Sequence, residues 1–380
     1  MGDMYDYLSW RGDLSFDADP FNEIDNLLLA TLSYTHFDGI VPKDGRVVPL
    51  EEARDRFFRT HDRAALKREP SFQAKPPFLM DEMLKSRRFR DLGICSYINR
   101  VEADKRLQMS AVSFLPGDGS CYVAFRGTDS TLTGWKEDFD LSYIAETPGQ
   151  ELAIEYLNRV AALQELPLRV GGHSKGGNFA VYSSSFCEPA VQERILTVFN
   201  NDGPGFLQDM IQSEGYHRML PKIYSIIPDT SIIGLLLSSL SQPHVIKSTA
   251  NGIMQHDCFT WCIQGNRFVE ANLSELGKIV DRTLDTMIEE TDNEDLKSLA
   301  QTFFTILEAT GKETVDEISN EKLRSAKKML STVPFIPKKK LAEMLRFAAH
   351  LLLKARQTAR EELPGVLKSG KSLREASNGA

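Results

Sequence analysis

Ser174 is the residue of this sequence best placed by its neighbours to act as a nucleophile. The run Gly172-His173-Ser174-Lys175-Gly176 lies between a short strand-like stretch, Pro-Leu-Arg-Val-Gly-Gly, and the helix-like stretch Asn-Phe-Ala-Val-Tyr-Ser-Ser-Ser-Phe. A turn that passes so sharply from strand to helix leaves no room for side chains on its flanks, and it projects the serine from the sheet edge. The N–H after the serine then faces the position of an oxyanion, aided by the helix N-terminus. That arrangement suits acyl transfer. The other reading is a glycine-rich turn with an incidental serine.

A nucleophilic serine needs a base, and the base needs an orienting acid. Where such a turn carries a catalytic serine, the acid and then the histidine follow it along the chain. Four histidines follow Ser174: His217, His244, His256 and His350. His350 sits on the apolar-stripe side of a C-terminal helix and reads as structural. His217 precedes the better acid candidate, Asp229, which leaves His244 and His256. Asp229 ends the strand-like run Lys-Ile-Tyr-Ser-Ile-Ile-Pro, where a sheet-edge acid belongs. Asp202, in Asn-Asn-Asp-Gly-Pro-Gly-Phe, competes with it and is otherwise a turn former. Cys258 and Cys262 lie near His256, but one loose cluster is a poor zinc signature, so neither a metal nor an organic cofactor is expected.

The elements that must position these groups are legible as periodicities. A helix is expected from Asp19, as cap, and Pro20 onward, with Ile24, Leu27, Leu28 and Leu32 on one face. Strands are expected over 95–101, 108–115 and 120–127, with Pro-Gly-Asp-Gly turning between the last two. A helix over 150–166, a strand before Ser174, a helix after it, and strands at Arg-Ile-Leu-Thr-Val-Phe-Asn and Lys-Ile-Tyr-Ser-Ile-Ile-Pro complete an alternation that predicts an α/β fold with a mainly parallel sheet. From about 267 the pattern is helical. Two units are therefore expected, a catalytic domain over 1–270 and a helical appendage over 271–380 whose last ten residues or so are disordered. The appendage is divided in charge: 281–320 holds eleven acids and three bases, and 321–380 five acids and fourteen bases. Such a division favours antiparallel helices docked on the catalytic domain.

Composition excludes several function classes. The net charge is −8 and aromatic–basic interleaving is absent, which weighs against nucleic acid. The longest apolar run, Ile232–Leu237, is too short to span a membrane. No stable membrane insertion is expected, although peripheral contact fits the basic tail. The acidic N-terminus lacks the pattern of a signal peptide. The five cysteines are few and scattered, which fits reduced thiols and a cytoplasmic location. Nothing in the sequence sets the oligomeric state.

Several segments carry a family resemblance. The segment 121–140, which opens Cys-Tyr-Val-Ala-Phe-Arg-Gly-Thr-Asp, resembles the oxyanion-loop segment of class 3 lipases, and Gly-Gly-His-Ser-Lys-Gly-Gly-Asn resembles their nucleophile turn. The closer likeness is to a bacterial lipase-like α/β-hydrolase family of unknown function. Phe21-Asn22-Glu23-Ile24-Asp25, Ala124-Phe125-Arg126-Gly127-Thr128-Asp129, the Ser174 turn, Asn200–Phe206 and Gly252–Trp261 resemble its motifs, in order, to about residue 265. The resemblance implies an α/β-hydrolase fold with Ser174 as nucleophile, His256 as base, and Thr128 with the Lys175 N–H as the oxyanion hole. It puts Asp229 at the acid position, although the Asp-x-Val-Pro of the lipases is absent. Lys175 also departs from the apolar residue usual there; the cation would either attract an anionic substrate group or lie on the helix surface. Asp138 and Asp140 would position the oxyanion loop or be ordinary solvated acids. Residues 230–240 read as a core helix or as a lid or acyl-chain wall. The activity implied is hydrolysis of a small ester, lipid-like or short-chain, or of a thioester. A catalytically weak scaffold binding a partner through its tail is the alternative.

Overall fold

The computed structural model describes residues 1–275 apart from Pro70 and Ser130, residues 277–279, 282–283 and 293–308, and isolated positions between 338 and 353. Eight strands form one sheet in chain order: β1 (Val48–Pro49), β2 (Gly93–Glu102), β3 (Leu107–Leu115), β4 (Cys121–Phe125), β5 (Leu168–His173), β6 (Ile195–Asn201), β7 (Ile223–Pro228) and β8 (His244–Ile246). β4 to β8 are parallel neighbours, and only β1 and β3 run against the other six. The three expected strands between 95 and 127 fall within two residues of β2, β3 and β4. Gly117 and Gly119 turn the hairpin between β3 and β4 at φ of 92° and 77°, a region costly for any residue with a Cβ.

The helices named below are α1 (Met4–Arg11), α2 (Glu23–Leu32), α3 (Leu132–Asp140), α4 (Pro148–Leu163), α5 (Lys175–Phe186) and α6 (Asn293–Glu308). Parallel strands added in one direction by right-handed crossovers place every crossover helix on the same face. α4 and α5 accordingly share one core with Cys121, Val123 and Phe125 of β4, Leu168 and Val170 of β5 and Val198 of β6. The alternate residues, Tyr122, Ala124 and Phe199, point to the other face, as the two-residue period of a strand requires. No crossover helix reaches that face. It is covered by the N-terminal part of the chain, α1, α2 and the helices Leu50–Thr60 and Leu79–Lys85, together with Cys258, Trp261, Ile263 and Phe268 from beyond β8.

α2 departs from its expected start. Its cap is Asn22, whose side chain accepts from Ile24 and Asp25 N–H while Asp25 returns a bond to the cap. Asp19 instead pairs with Arg11 at 2.8 Å. Every residue of α2 from Ile24 to Leu32 is buried, so the helix is enclosed all round rather than along one stripe. Its Asp25 meets Arg88 at 2.5 Å with both side chains fully buried. Arg88 also donates to the carbonyls of Leu14, Asp19 and Pro20, which leaves the pair well satisfied.

Residues 230–240 form no helix. Gly205 N–H donates to Leu236 O at 2.7 Å, and Phe206 pairs with Ser238 in a single antiparallel bridge. Ser231 takes the Gly234 N–H on its side-chain oxygen, one of the local bonds by which serine competes with helix. Of the tail, Ser274 N–H donates to Asp229 O at 2.8 Å. α6 lies on α3, where Phe304 meets Phe139 edge-on at 5.4 Å and Glu308 pairs with Lys136. Most of the appendage expected over 271–380, including His350 and the disordered end, lies outside the described residues.

Candidate active site

The turn that carries Ser174 is built from three close approaches. A Cβ on Gly172 would meet Gly176 O at 2.3 Å, one on Gly176 would meet Phe125 O at 2.1 Å, and one on Gly177 would meet Asn200 Oδ1 at 2.1 Å. Glycine is therefore required on both sides of Ser174 for β4, β5 and α5 to close on one another. Ser174 itself stands at φ 60°, ψ −135°, a strained conformation for a residue with a side chain. Such strain costs about 1–3 kcal/mol and collects at functional sites. Its N–H is fixed by Asn201 O at 3.0 Å. Beneath, Asn201 donates to Gly172 O at 2.9 Å and accepts from Asn26 of α2 at 2.8 Å, so the N-terminal cover grips the turn.

His256 ends a short helical turn, Gly252–His256. Its Nδ1 lies 2.7 Å from Oδ2 of Asp202, a carboxylate only 1 % exposed. The other oxygen, Oδ1, accepts from Ser231 Oγ at 2.5 Å. The carboxylate on the imidazole is thus Asp202, and the expected Asp229 is not there. Asp229 Oδ1 accepts from Gln255 Nε2 at 2.7 Å, and Thr230 N–H donates to Gln255 Oε1 at 2.8 Å. The cause is strand order. Neighbouring strands lie about 4.8 Å apart, and β6 adjoins β5 whereas β7 is one strand further from Ser174. Asp202 also has the turn geometry expected of it, at φ 52°; the turn and the acid are one residue. His244 opens β8 and stacks on Tyr224 at 4.1 Å, away from this cluster.

The expected oxyanion residues flank the serine. A Cβ at Gly127 would lie 2.9 Å from Ser174 Cβ, so the chain from Arg126 to Thr128 passes beside Ser174. Thr128 Oγ1 is 2.7 Å from both oxygens of Asp138. A hydroxyl has one proton, and the carboxylate takes it. Any bond from Thr128 to an oxyanion must then come from its main-chain N–H. Lys175 is the first residue of α5, so its N–H has no partner within the helix.

The Lys175 side chain follows neither expectation. It is buried, donating to Glu137 Oε2 at 2.9 Å and Gln108 Oε1 at 2.7 Å, with Asp138 at 3.7 Å. Glu137, unremarked in the sequence, is fully buried and also accepts from the N–H groups of Gln108 and Gly149. It ties α3 and the start of α4 to the serine turn. Burial raises the Asp138 carboxyl above its usual range, against the lowering pull of Lys175 and of the Thr128 hydroxyl. Asp140 is elsewhere, bonded to Arg106 and Tyr143. No group of three or more metal-binding side chains occurs among the described residues. All five cysteines are unpaired and buried, and no helix among the described residues is long and apolar enough to cross a membrane.

No curated protein and no solved structure matches the chain. A family model, Mbeg1-like, matches residues 83–305, more than half of the 380. The match contains Ser174, Asp202, Asp229 and His256, and it crosses the boundary expected near 270. The chain therefore belongs to the Mbeg1-like family, a lipase-like family of unknown function.

Proposed function

We propose that the protein is a serine hydrolase that cleaves a carboxylic ester or thioester through an acyl-enzyme, on an α/β-hydrolase fold akin to that of class 3 lipases. One observation carries this reading: a strained serine between strand and helix in the same fold as a histidine whose Nδ1 rests on a buried carboxylate. Ser174 attacks the carbonyl, and His256 takes its proton and returns it to the leaving group. Asp202 holds the imidazole and stabilises its charged form. The N–H groups of Lys175 and Thr128 receive the oxyanion. Ile232–Leu240 follows Ser231, the partner of Asp202, and supplies an apolar wall suited to an acyl chain. Free, buried cysteines fit a reducing compartment such as the cytoplasm.

Labelling with a fluorophosphonate probe tests the proposal, followed by a chain-length series of p-nitrophenyl esters. The wild-type chain should be labelled at Ser174. Ser174→Ala should not be labelled, and its thermal midpoint should be nearly unchanged. A wild-type chain that never takes the probe would leave the hydrolase fold as a partner-binding scaffold.

A further inference from the structure

The residue between Gly172 and Ser174 is buried and bonded at both ring nitrogens. His173 Nε2 lies 2.8 Å from the main-chain oxygen of His256, and Nδ1 lies 3.0 Å from the hydroxyl of Tyr34, just beyond α2. A carbonyl can only accept, so Nε2 carries the proton. Nδ1 is then bare and accepts from Tyr34. The two partners together select one tautomer and one ring orientation. Phe72 stacks on the ring at 5.9 Å, Trp261 meets it edge-on at 6.0 Å, and the His256 ring lies 4.6 Å away.

His256 needs such a fixture. It stands on a five-residue helical turn rather than on a long helix or a strand, so its main chain has few regular bonds to hold it. Neighbouring residues are held by Asp229, through Gln255, and by Lys75, which pairs with Asp257 at 2.6 Å. Only the bond from His173 refers His256 directly to the residue next to Ser174.

We infer that His173 is a positioning residue: it fixes the main chain of His256 relative to Ser174, so that one rigid strand end sets the separation of nucleophile and base. The inference rests on the serine hydrolase reading. Burial supports it further, holding His173 well below the usual imidazole range, with the charge of His256 acting in the same direction. A ring that stays neutral does not oppose the proton that His256 must accept during turnover.

The test uses the full chain and three proteins. His173→Phe keeps the ring volume but removes the donor to His256. His173→Gln places an amide N–H near the position of Nε2. A buried acceptor left unsatisfied is costly, so His173→Phe should lower fluorophosphonate labelling and kcat by about tenfold or more, with KM nearly unchanged. His173→Gln should recover most of the loss. Equal labelling rates for wild type and His173→Phe would overturn the inference and leave the hydrolase reading intact. A wild type that is never labelled would overturn both. Should the variants fail to fold, nitrogen-15 spectra of histidine-labelled wild type decide. The inference requires His173 as the Nε2–H tautomer without titration near pH 6.5. An Nδ1–H tautomer, or a midpoint near that value, would overturn it.

Discussion

The loops after β6 and β7 make a natural comparison. Each ends a parallel strand with an aspartate, and each aspartate reaches the segment that carries His256. Asp202 meets the imidazole; Asp229 meets the side chain of Gln255, one residue earlier. In the proposed mechanism the first contact acts on a ring that must change its charge, and the second on a loop that must stay in place. A carboxylate on the ring stabilises a charge that exists only during reaction. A carboxylate on Gln255 contributes equally before and during it, apart from any drift of the loop. Position in the sheet decides which aspartate has which task.

The comparison is broken most directly at Asp202. Asp202→Asn should lower ester turnover by a factor on the order of 10⁴, because an amide can turn its N–H₂ toward Nδ1 and favour the wrong tautomer. If Asp229→Asn gave that loss and Asp202→Asn did not, the roles would be reversed. Asp229→Ala should cost about tenfold, the scale of one buried acceptor removed. Gln255→Ala should cost about as much, and the double variant little more than either, since the two residues act as one unit; additive losses would contradict that coupling. Ser231→Ala removes one of the two bonds to Asp202 and should cost only about threefold, a neutral bond contributing roughly 1 kcal/mol or less net.

A third carboxylate sharpens the contrast through its pH dependence. Burial raises Asp138, so folding disfavours its charged form. The stability it contributes is complete below the unfolded pKa and is lost as pH rises through the folded one. Asp138→Asn removes that loss. Its thermal midpoint should match wild type in acid and exceed it near neutrality, while turnover falls as Thr128 loses a charged acceptor. A midpoint below wild type at neutral pH would mean that the pull of Lys175 outweighs the cost of burial.

The serine turn was legible because its determinants are local: glycine flanks and a switch from strand to helix periodicity within a few residues. The strands around it were legible for the same reason. Asp202 was visible as a candidate but not as the carboxylate that meets the His256 ring. Choosing it over Asp229 requires knowing that β6 adjoins β5, which no local pattern states. Glu137 and the buried side chain of Lys175 were missed because a charged residue on a helix reads as surface until the partner, distant in sequence, is known. The apolar run 230–240 read as a core helix or as a lid or acyl-chain wall, because hydrophobicity without a clear period does not choose between them. The cap of α2 was misplaced by three residues because Asp19 and Asn22 are both cap formers, and only packing decides between them.

The all-on-one-side crossovers bear on how the chain comes into being. During synthesis α2 emerges before β2 to β8, with every residue from Ile24 to Leu32 destined for burial, yet the core it joins includes Tyr122 and Ala124 of β4, Phe199 of β6, Ile226 of β7, Ile246 of β8 and Trp261. That core is not finished until the chain beyond β8 has been made. Until then α2 is a hydrophobic segment without a home, and closure must wait for contacts of high sequence separation, the slow and aggregation-exposed kind. Since Asn26 of α2 also grips the serine turn, Ser174 reaches its final setting only once this early segment has docked.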